Sequence, residues 1–288
     1  MKIPELFGRS EPVFSFEFFP PKTAAGEEAL FRTIAALREL EPAFVSVTCG
    51  AGGSIRDKTV EWVTHIKQEV GIEAMAHLTC VGSSRAQLAA ELDQLRAGGI
   101  ENVLALRGDA PRDQPDFRRS ADGFGYAAEL VAFIRERDDP FALGGACYPE
   151  GHPECRDLAQ GLEHLARKVG AGLEFIITQL FFDTRDYFAF VERARAGGIS
   201  IPIVPGIMPI TNVAQIERMT VMCGARIPES LRARLHAVAD DEERVRAVGV
   251  EHALAQCREL LAGGAPGIHF YTLNQSPATR TILAELRN

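Results

Sequence analysis

Glu17 stands in the run Phe14-Ser15-Phe16-Glu17-Phe18-Phe19-Pro20-Pro21. A carboxylate among four phenylalanines is costly to ionise, which predicts a raised pKa and suits a general acid. The alternative is a structural glutamate paired with an arginine, and the aromatic neighbours favour catalysis over it. Arg107-Gly108-Asp109 ends a second apolar run and opens a loop over 110–125 with two prolines and two glycines. Gly108 lets backbone approach a flat ligand, although a plain turn or a local Arg–Asp pair reads the same way. In Tyr148-Pro149-Glu150-Gly151-His152-Pro153 the aromatic rings could stack on or hydrogen-bond a cofactor, or simply cap a rigid loop. Gln179 is an amide inside Ile176-Ile177-Thr178-Gln179-Leu180-Phe181-Phe182, and a buried amide needs partners from the backbone or from a ligand edge. Asp183 reads as a helix cap.

Eight short apolar runs carry these residues: Val13–Phe19, Phe44–Cys49, Ala74–Thr79, Val103–Arg107, Ala142–Tyr148, Phe175–Leu180, Ile201–Ile207 and Ile268–Leu273. They are apolar on both faces, as buried parallel strands are. Helical periodicity fills the intervals, as in Leu88, Leu92, Leu95 and in Leu158, Leu162, Leu165, Val169. Ser84 with Gln87 forms a capping-box pattern, and Ala-Gly-Gly at 97–99, 196–198 and 262–264 and Ala-Gly at 171–172 are stop signals. Eight alternations in 288 residues predict a single-domain (β/α)8 TIM barrel, with a doubly wound sheet second. The C-terminal strand ends carry Glu17, Thr48, His77, Thr79, Arg107, Asp109, Tyr148, Gln179 and Tyr271. Active sites of such barrels lie at that end, so an enzyme is favoured.

Composition narrows the class. The chain is 46% hydrophobic and 24% charged with net charge −8. That acidic balance argues against a nucleic-acid binder, and its 26 arginines and five lysines, scattered rather than clustered, point to no partner. Six cysteines without C-x-x-C spacing read as reduced thiols, and the opening residues do not resemble a signal peptide, so a soluble cytoplasmic protein is expected. No run is long enough to span a membrane, and no metal cluster stands out. Cys49-Gly50-Ala51-Gly52-Gly53 does not match a dinucleotide fingerprint. His65, His164, His236 and His252 fall on helical patterns and read as surface residues. A barrel glycoside hydrolase using Glu17 and Asp109 is a rival reading, weakened by a single Trp62 on a helix pattern. A folate-binding protein without turnover is another.

The segments together resemble the short bacterial type of methylenetetrahydrofolate reductase. The resemblance rests on Phe16-Glu17-Phe18-Phe19-Pro20-Pro21, Phe44–Thr48, His77–Cys80, Leu106–Asp109, Tyr148–Pro153, Ile177–Asp183, Pro205–Pro209 and His269–Asn274, in family order. It implies FAD held non-covalently at the strand C-termini, reduced by NADH or NADPH, then hydride transfer to 5,10-methylenetetrahydrofolate to give 5-methyltetrahydrofolate. By position it makes Glu17 the general acid that opens the folate's five-membered ring to an iminium. Asp109 would stabilise that cation and tune the flavin. The implied FAD contacts are Thr48, His77, Arg107, Gly108, Asp109, Ala127, Tyr148, His152, Arg167 and Lys168. Gln179, Gln215, Tyr271 and Gln275 fall on the folate side. Read without the resemblance, Arg167 and Lys168 are surface charges. The sequence departs from the family pattern at Gln275, Met219, Gly161 and Leu173, which predicts altered affinities with the chemistry retained. Relatives also imply a homodimer or homotetramer. The chain ends soon after its eighth strand, so no regulatory domain is expected.

Overall fold

The computed structural model describes residues 1–21, 23–49, 56–109, 120–274 and 277–287. Strands β1 (Val13–Phe18), β2 (Phe44–Val47), β3 (Ala74–Thr79), β4 (Asn102–Leu106), β5 (Ala142–Cys147), β6 (Phe175–Thr178), β7 (Ile203–Val204), β8 (Gly206–Ile207) and β9 (Gly267–Tyr271) form one sheet, parallel in every pairing. The seventh run, Ile201–Ile207, is therefore two strands rather than one. Pro205 divides them, because a residue without an N–H cannot carry the ladder through. β7 pairs with β6 and β8 with β9, so the divided run closes the barrel. The Pro205 carbonyl accepts from the His269 N–H at 2.9 Å, and the Gly206 N–H donates to Thr178 Oγ1 at 2.9 Å. The TIM-barrel expectation holds, with this one strand corrected.

Helices α1 (Ala24–Arg38), α2 (Arg56–His65), α3 (Arg85–Ala97), α4 (Ala127–Glu136), α5 (Leu158–Gly170), α6 (Thr184–Ala196), α7 (Val213–Cys223), α8 (Glu229–His236), α9 (Glu242–Ala262) and α10 (Pro277–Arg287) fill the connections. The Ser84–Gln87 capping box at α3 and the Asp183 cap at α6 form as expected. Gly99, Gly172, Gly198 and Gly264, at the stop signals, take positive φ.

Strand alternation divides the core. Phe14, Phe16 and Phe18 point outward and pack with Leu30, Ile34 and Leu37 of α1. Val13, Phe44, Met75, Leu104, Phe175, Ile177 and Val204 point inward and fill the lower barrel, closed from below by Ile3 and Leu6 of a short 3-10 helix. No helix among the described residues is long and apolar enough to cross a membrane.

Candidate active site

Above that apolar plug the inward positions turn polar. Ser15 and Glu17 of β1 lie in register with His269 and Tyr271 of β9, and Glu17 also with Ser46 of β2. Glu17 Oε2 lies 3.4 Å from His77 Nε2 and 3.5 Å from His269 Nε2, with the carboxylate almost fully buried. The phenylalanine cage expected from the sequence does not surround it. Phe16 and Phe18 are on the other face of the strand, because successive side chains alternate. Nor does an arginine pair with Glu17 among the described residues. Two histidines and the Tyr271 ring frame it instead.

His269 is fully buried and held from both sides: Ser15 Oγ meets its Nδ1 at 2.8 Å and Ser46 Oγ its Nε2 at 3.5 Å. His77 Nε2 is buried with no hydrogen bond among the described residues. Burial lowers the His77 pKa more than Glu17 raises it, so its ring is held neutral. The Tyr271 ring packs edge-on to His269, and its hydroxyl donates to the Thr178 carbonyl at 2.6 Å. Burial drives its pKa well up. Gly206 makes this possible, since a Cβ there would lie 2.6 Å from the Tyr271 ring and 2.4 Å from the Thr178 oxygen.

Beside the barrel mouth opens a cleft of about 730 Å³ between the ends of β4 and β5 and helices α4 and α5. Eight of the ten residues expected around FAD line it: Arg107, Gly108, Asp109, Ala127, Tyr148, His152, Arg167 and Lys168. Thr48 and His77 do not. Thr48 is buried just beyond β2, where its carbonyl accepts from Thr59 Oγ1 at 2.9 Å. Gly108 has φ +79, and a Cβ there would approach Thr79 to 2.8 Å, so glycine is required. Arg107 does not pair locally with Asp109. Its guanidinium grips Glu154 at both ends, at 2.5 and 2.8 Å. The Arg107 hydrogen bond lowers the Glu154 pKa, and the Glu154 N–H donates to His152 Nδ1 at 3.0 Å. His152 packs edge-on against Tyr148, whose hydroxyl burial pushes up to about 12.

Arg167 is exposed, 3.8 Å from Glu163, as the plain reading of a surface charge had it. Lys168 is not: its ammonium turns inward to donate to the Ala146 carbonyl at 2.6 Å, and burial lowers its pKa. Gln179 follows β6 and spends its Oε1 on the Leu180 N–H at 2.8 Å. Gln215 lies in the first turn of α7, capped by Asn212. Gln275, and most of the 110–125 loop and of the Cys49–Gly53 run, lie outside the described residues.

Two of the helix histidines are not surface residues. His65 is partly buried against Phe31 and Trp62, and His252 is partly buried with Nε2 3.0 Å from the Phe182 carbonyl oxygen. His236 is exposed beside Glu217, and His164 lines the cleft. Sequence reasoning did not single out His269, Ser15, Ser46 or Glu154. The signal for His269 was its two-residue spacing from Tyr271, which puts both on one strand face. No group of three metal-ligating side chains assembles among the described residues.

Residues 2–287 match the family described as methylenetetrahydrofolate reductase. "Methylenetetrahydrofolate reductase (NADH) 1" of Arabidopsis thaliana is 41% identical over 99% of this chain and 50% of its own length. "5,10-Methylenetetrahydrofolate reductase" of Pectobacterium carotovorum is 39% identical over 96% of this chain and 90% of its own. The chain thus spans about half the length of the plant and yeast relatives it matches. A Clostridium thermocellum protein described as binding two copies of 5-methyl-5,6,7,8-tetrahydrofolic acid shares the fold, with TM-score 0.64, 11% identity and coverage of 100% and 99% of the two chains. The chain belongs to the methylenetetrahydrofolate reductase family.

Proposed function

We propose that this chain reduces 5,10-methylenetetrahydrofolate to 5-methyltetrahydrofolate, taking hydride from NADH or NADPH through non-covalently bound FAD. The observation that carries the reading is the buried Glu17 carboxylate between His77 and His269 at the mouth of a barrel of this family. FAD suits the neighbouring cleft on three grounds. Gly108, with its positive φ, brings bare backbone to the cleft, Tyr148 and His152 offer aromatic rings, and Arg167, exposed at the end of α5 next to the inward-turned Lys168, supplies a cation for a pyrophosphate. When bound, FAD supplies reversible hydride storage between the two substrates.

The protein's own groups do the rest. Glu17 donates the proton that lets the folate's five-membered ring open to an iminium, with His77 and His269 flanking its carboxyl at 3.4 and 3.5 Å. Asp109, exposed at the end of β4, supplies negative charge beside that cation. Gln179 and Gln215 hold the pterin, with Tyr271 beside Glu17 on the barrel side, and Gln275 lies toward the rest of the folate. Arg107 and Ala127 complete the cofactor's surroundings in the cleft, and Thr48 and His77 stand on the barrel side, outside it. The chain works as one catalytic unit over residues 1–288, in the cytoplasm, as a homodimer or homotetramer.

The test is a visible spectrum of the purified protein followed by anaerobic NADH and then methylenetetrahydrofolate. Flavin colour that bleaches and returns supports the reading. A protein that neither carries nor takes up FAD refutes it.

A further inference from the structure

One buried carboxylate has no part in that chemistry. Glu150 follows Tyr148 by two residues, and its side chain is only 7% exposed. Both of its oxygens face the backbone N–H of Arg226, at 3.1 and 3.3 Å, and Arg226 Nε donates to Oε1 at 2.9 Å. The same guanidinium reaches the two oxygens of Asp186, in the first turn of α6, at 3.2 Å. A second link lies alongside: Arg156 Nη1 donates to the Gly224 carbonyl at 3.1 Å. Gly224 ends α7 in the left-handed region, and a Cβ there would lie 2.7 Å from the Arg156 guanidinium.

Three segments meet at this point. One is the loop after β5, which carries Tyr148 and His152 on the cofactor cleft. Another is the start of α6, just after Gln179. The third is the turn between α7 and α8, and α7 carries Gln215 at its far end. Asp109 is near enough to the last residue of α7 to add to the upward shift of the Cys223 thiol, which burial pushes to about 11. An exposed arginine on a surface carboxylate contributes little. A buried carboxylate bonded to a backbone amide is different, because removing its partner leaves a charge without solvent. The Glu150–Arg226 contact therefore fixes where the α7–α8 turn sits against the cofactor wall.

We propose that Glu150 is a positioning residue: its carboxylate locks the turn after α7 to the loop bearing Tyr148 and His152, and so holds the folate-binding helix in place against the cofactor wall. This rests on the reductase reading above. The experiment uses the full chain with FAD bound, comparing wild type with Glu150→Ala, Glu150→Gln and Arg156→Ala. For Glu150→Ala the folate KM should rise about tenfold with kcat within about twofold, the signature of lost ground-state placement. Its FAD affinity should stay near that of wild type, and the Arg226 amide should exchange with deuterium faster. The amide oxygen of Glu150→Gln can still accept both bonds, so its KM should return to within about threefold of wild type. Arg156→Ala removes an exposed side chain that the fold can lose, and should shift KM the same way by about twofold.

Unchanged folate KM in Glu150→Ala and Arg156→Ala overturns the proposal while leaving the reductase reading intact. So does a loss shared equally by KM, FAD affinity and melting temperature, which would make Glu150 a mere staple. A wild-type protein that reduces no folate overturns both, and turnover in the wild type separates the two failures.

Discussion

The lower and upper halves of the barrel interior are built by the same strands under the same alternation, yet they hold opposite chemistry. Below, Val13, Phe44, Met75, Leu104 and Phe175 interdigitate as an apolar plug. Above, one or two inward positions further along the strands, stand Ser15, Glu17, Ser46, His77, His269 and Tyr271. Burial stabilises each large apolar side chain below by about 1.5–3 kcal/mol. The upper layer has no such return: Ser15, Ser46 and His269 meet one another, Tyr271 turns to the Thr178 carbonyl, and among the described residues His77 Nε2 meets no hydrogen-bond partner. A layer that gives up apolar burial on several strands at one depth is a site, and its position at the strand C-termini agrees with where barrels do chemistry. The lower half specifies the fold, and the upper half forgoes part of that stability where the proposed reaction would need polar groups.

The comparison breaks most sharply at Glu17. Glu17→Gln removes the proton but keeps shape and hydrogen-bonding capacity. Reoxidation of reduced flavin by methylenetetrahydrofolate should fall about 10²–10⁴-fold, the usual worth of a general acid. Flavin reduction by NADH and the melting temperature should barely move. If flavin reduction collapses as well in a stopped-flow measurement, Glu17 is not the acid.

The mirror experiment lies in the lower half. Phe175 is fully buried between Gly144, where a Cβ would lie 2.5 Å from its ring, and Phe7, at 5.7 Å between centroids. Phe175→Ala should cost about 3–5 kcal/mol in denaturant unfolding. The folate KM of the folded fraction should not change. A variant that is stable but catalytically impaired would mean that the two halves are coupled more tightly than their packing suggests.

How far each half is legible in sequence follows from the same division. The lower half and the outer shell depend on period and composition, which are local. Hence every run but Ile201–Ile207, the Ser84 box, the Asp183 cap and the glycine stops appear where the sequence puts them. Glu17 was legible as an anomaly, but its surroundings were not. Its chain neighbours Phe16 and Phe18 face the helices, and its spatial neighbours His77 and His269 arrive from strands far along the chain. Register is a non-local property, and one-residue alternation reverses the local reading. Lys168 was misread for a related reason: a helix pattern gives the face of a residue but not whether a long side chain bends back under it. The break at Pro205 was visible as a proline, yet only the two edge strands show why a break there still closes the barrel.

The seam at that break joins the two halves and gives a smaller effect. Gly206→Ala puts a methyl against the Thr178 carbonyl and the Tyr271 ring. Overpacking of this kind costs about 1–3 kcal/mol. Because Tyr271 is what moves, the folate KM should rise along with the loss of stability. Equal effects from Gly206→Ala and from a lower-half substitution on KM would erase the distinction between the layers.

The smallest effect separates the halves by pH. Phe44, Met75, Leu104 and Phe175 below cannot titrate, whereas His77 above has its pKa lowered, first by burial and with Glu17 opposing. The unfolded chain binds a proton at His77 with a pKa of about 6.5, and the folded chain resists it. Below that pH the unfolded state holds more protons, so stability falls on acidification and is fully present above it. One such group contributes a slope of at most about 1.4 kcal/mol per pH unit. His152 and His252 are lowered for the same first reason, so the wild-type slope contains all three. His77→Gln should therefore flatten the dependence of unfolding free energy on pH between about 6.5 and 5 without removing it. Phe175→Ala should lower the whole curve and leave its slope unchanged. A Phe175→Ala curve that also flattens would show that protonation in the upper layer is felt through the plug, and that the two halves are one cooperative structure rather than a scaffold carrying a site.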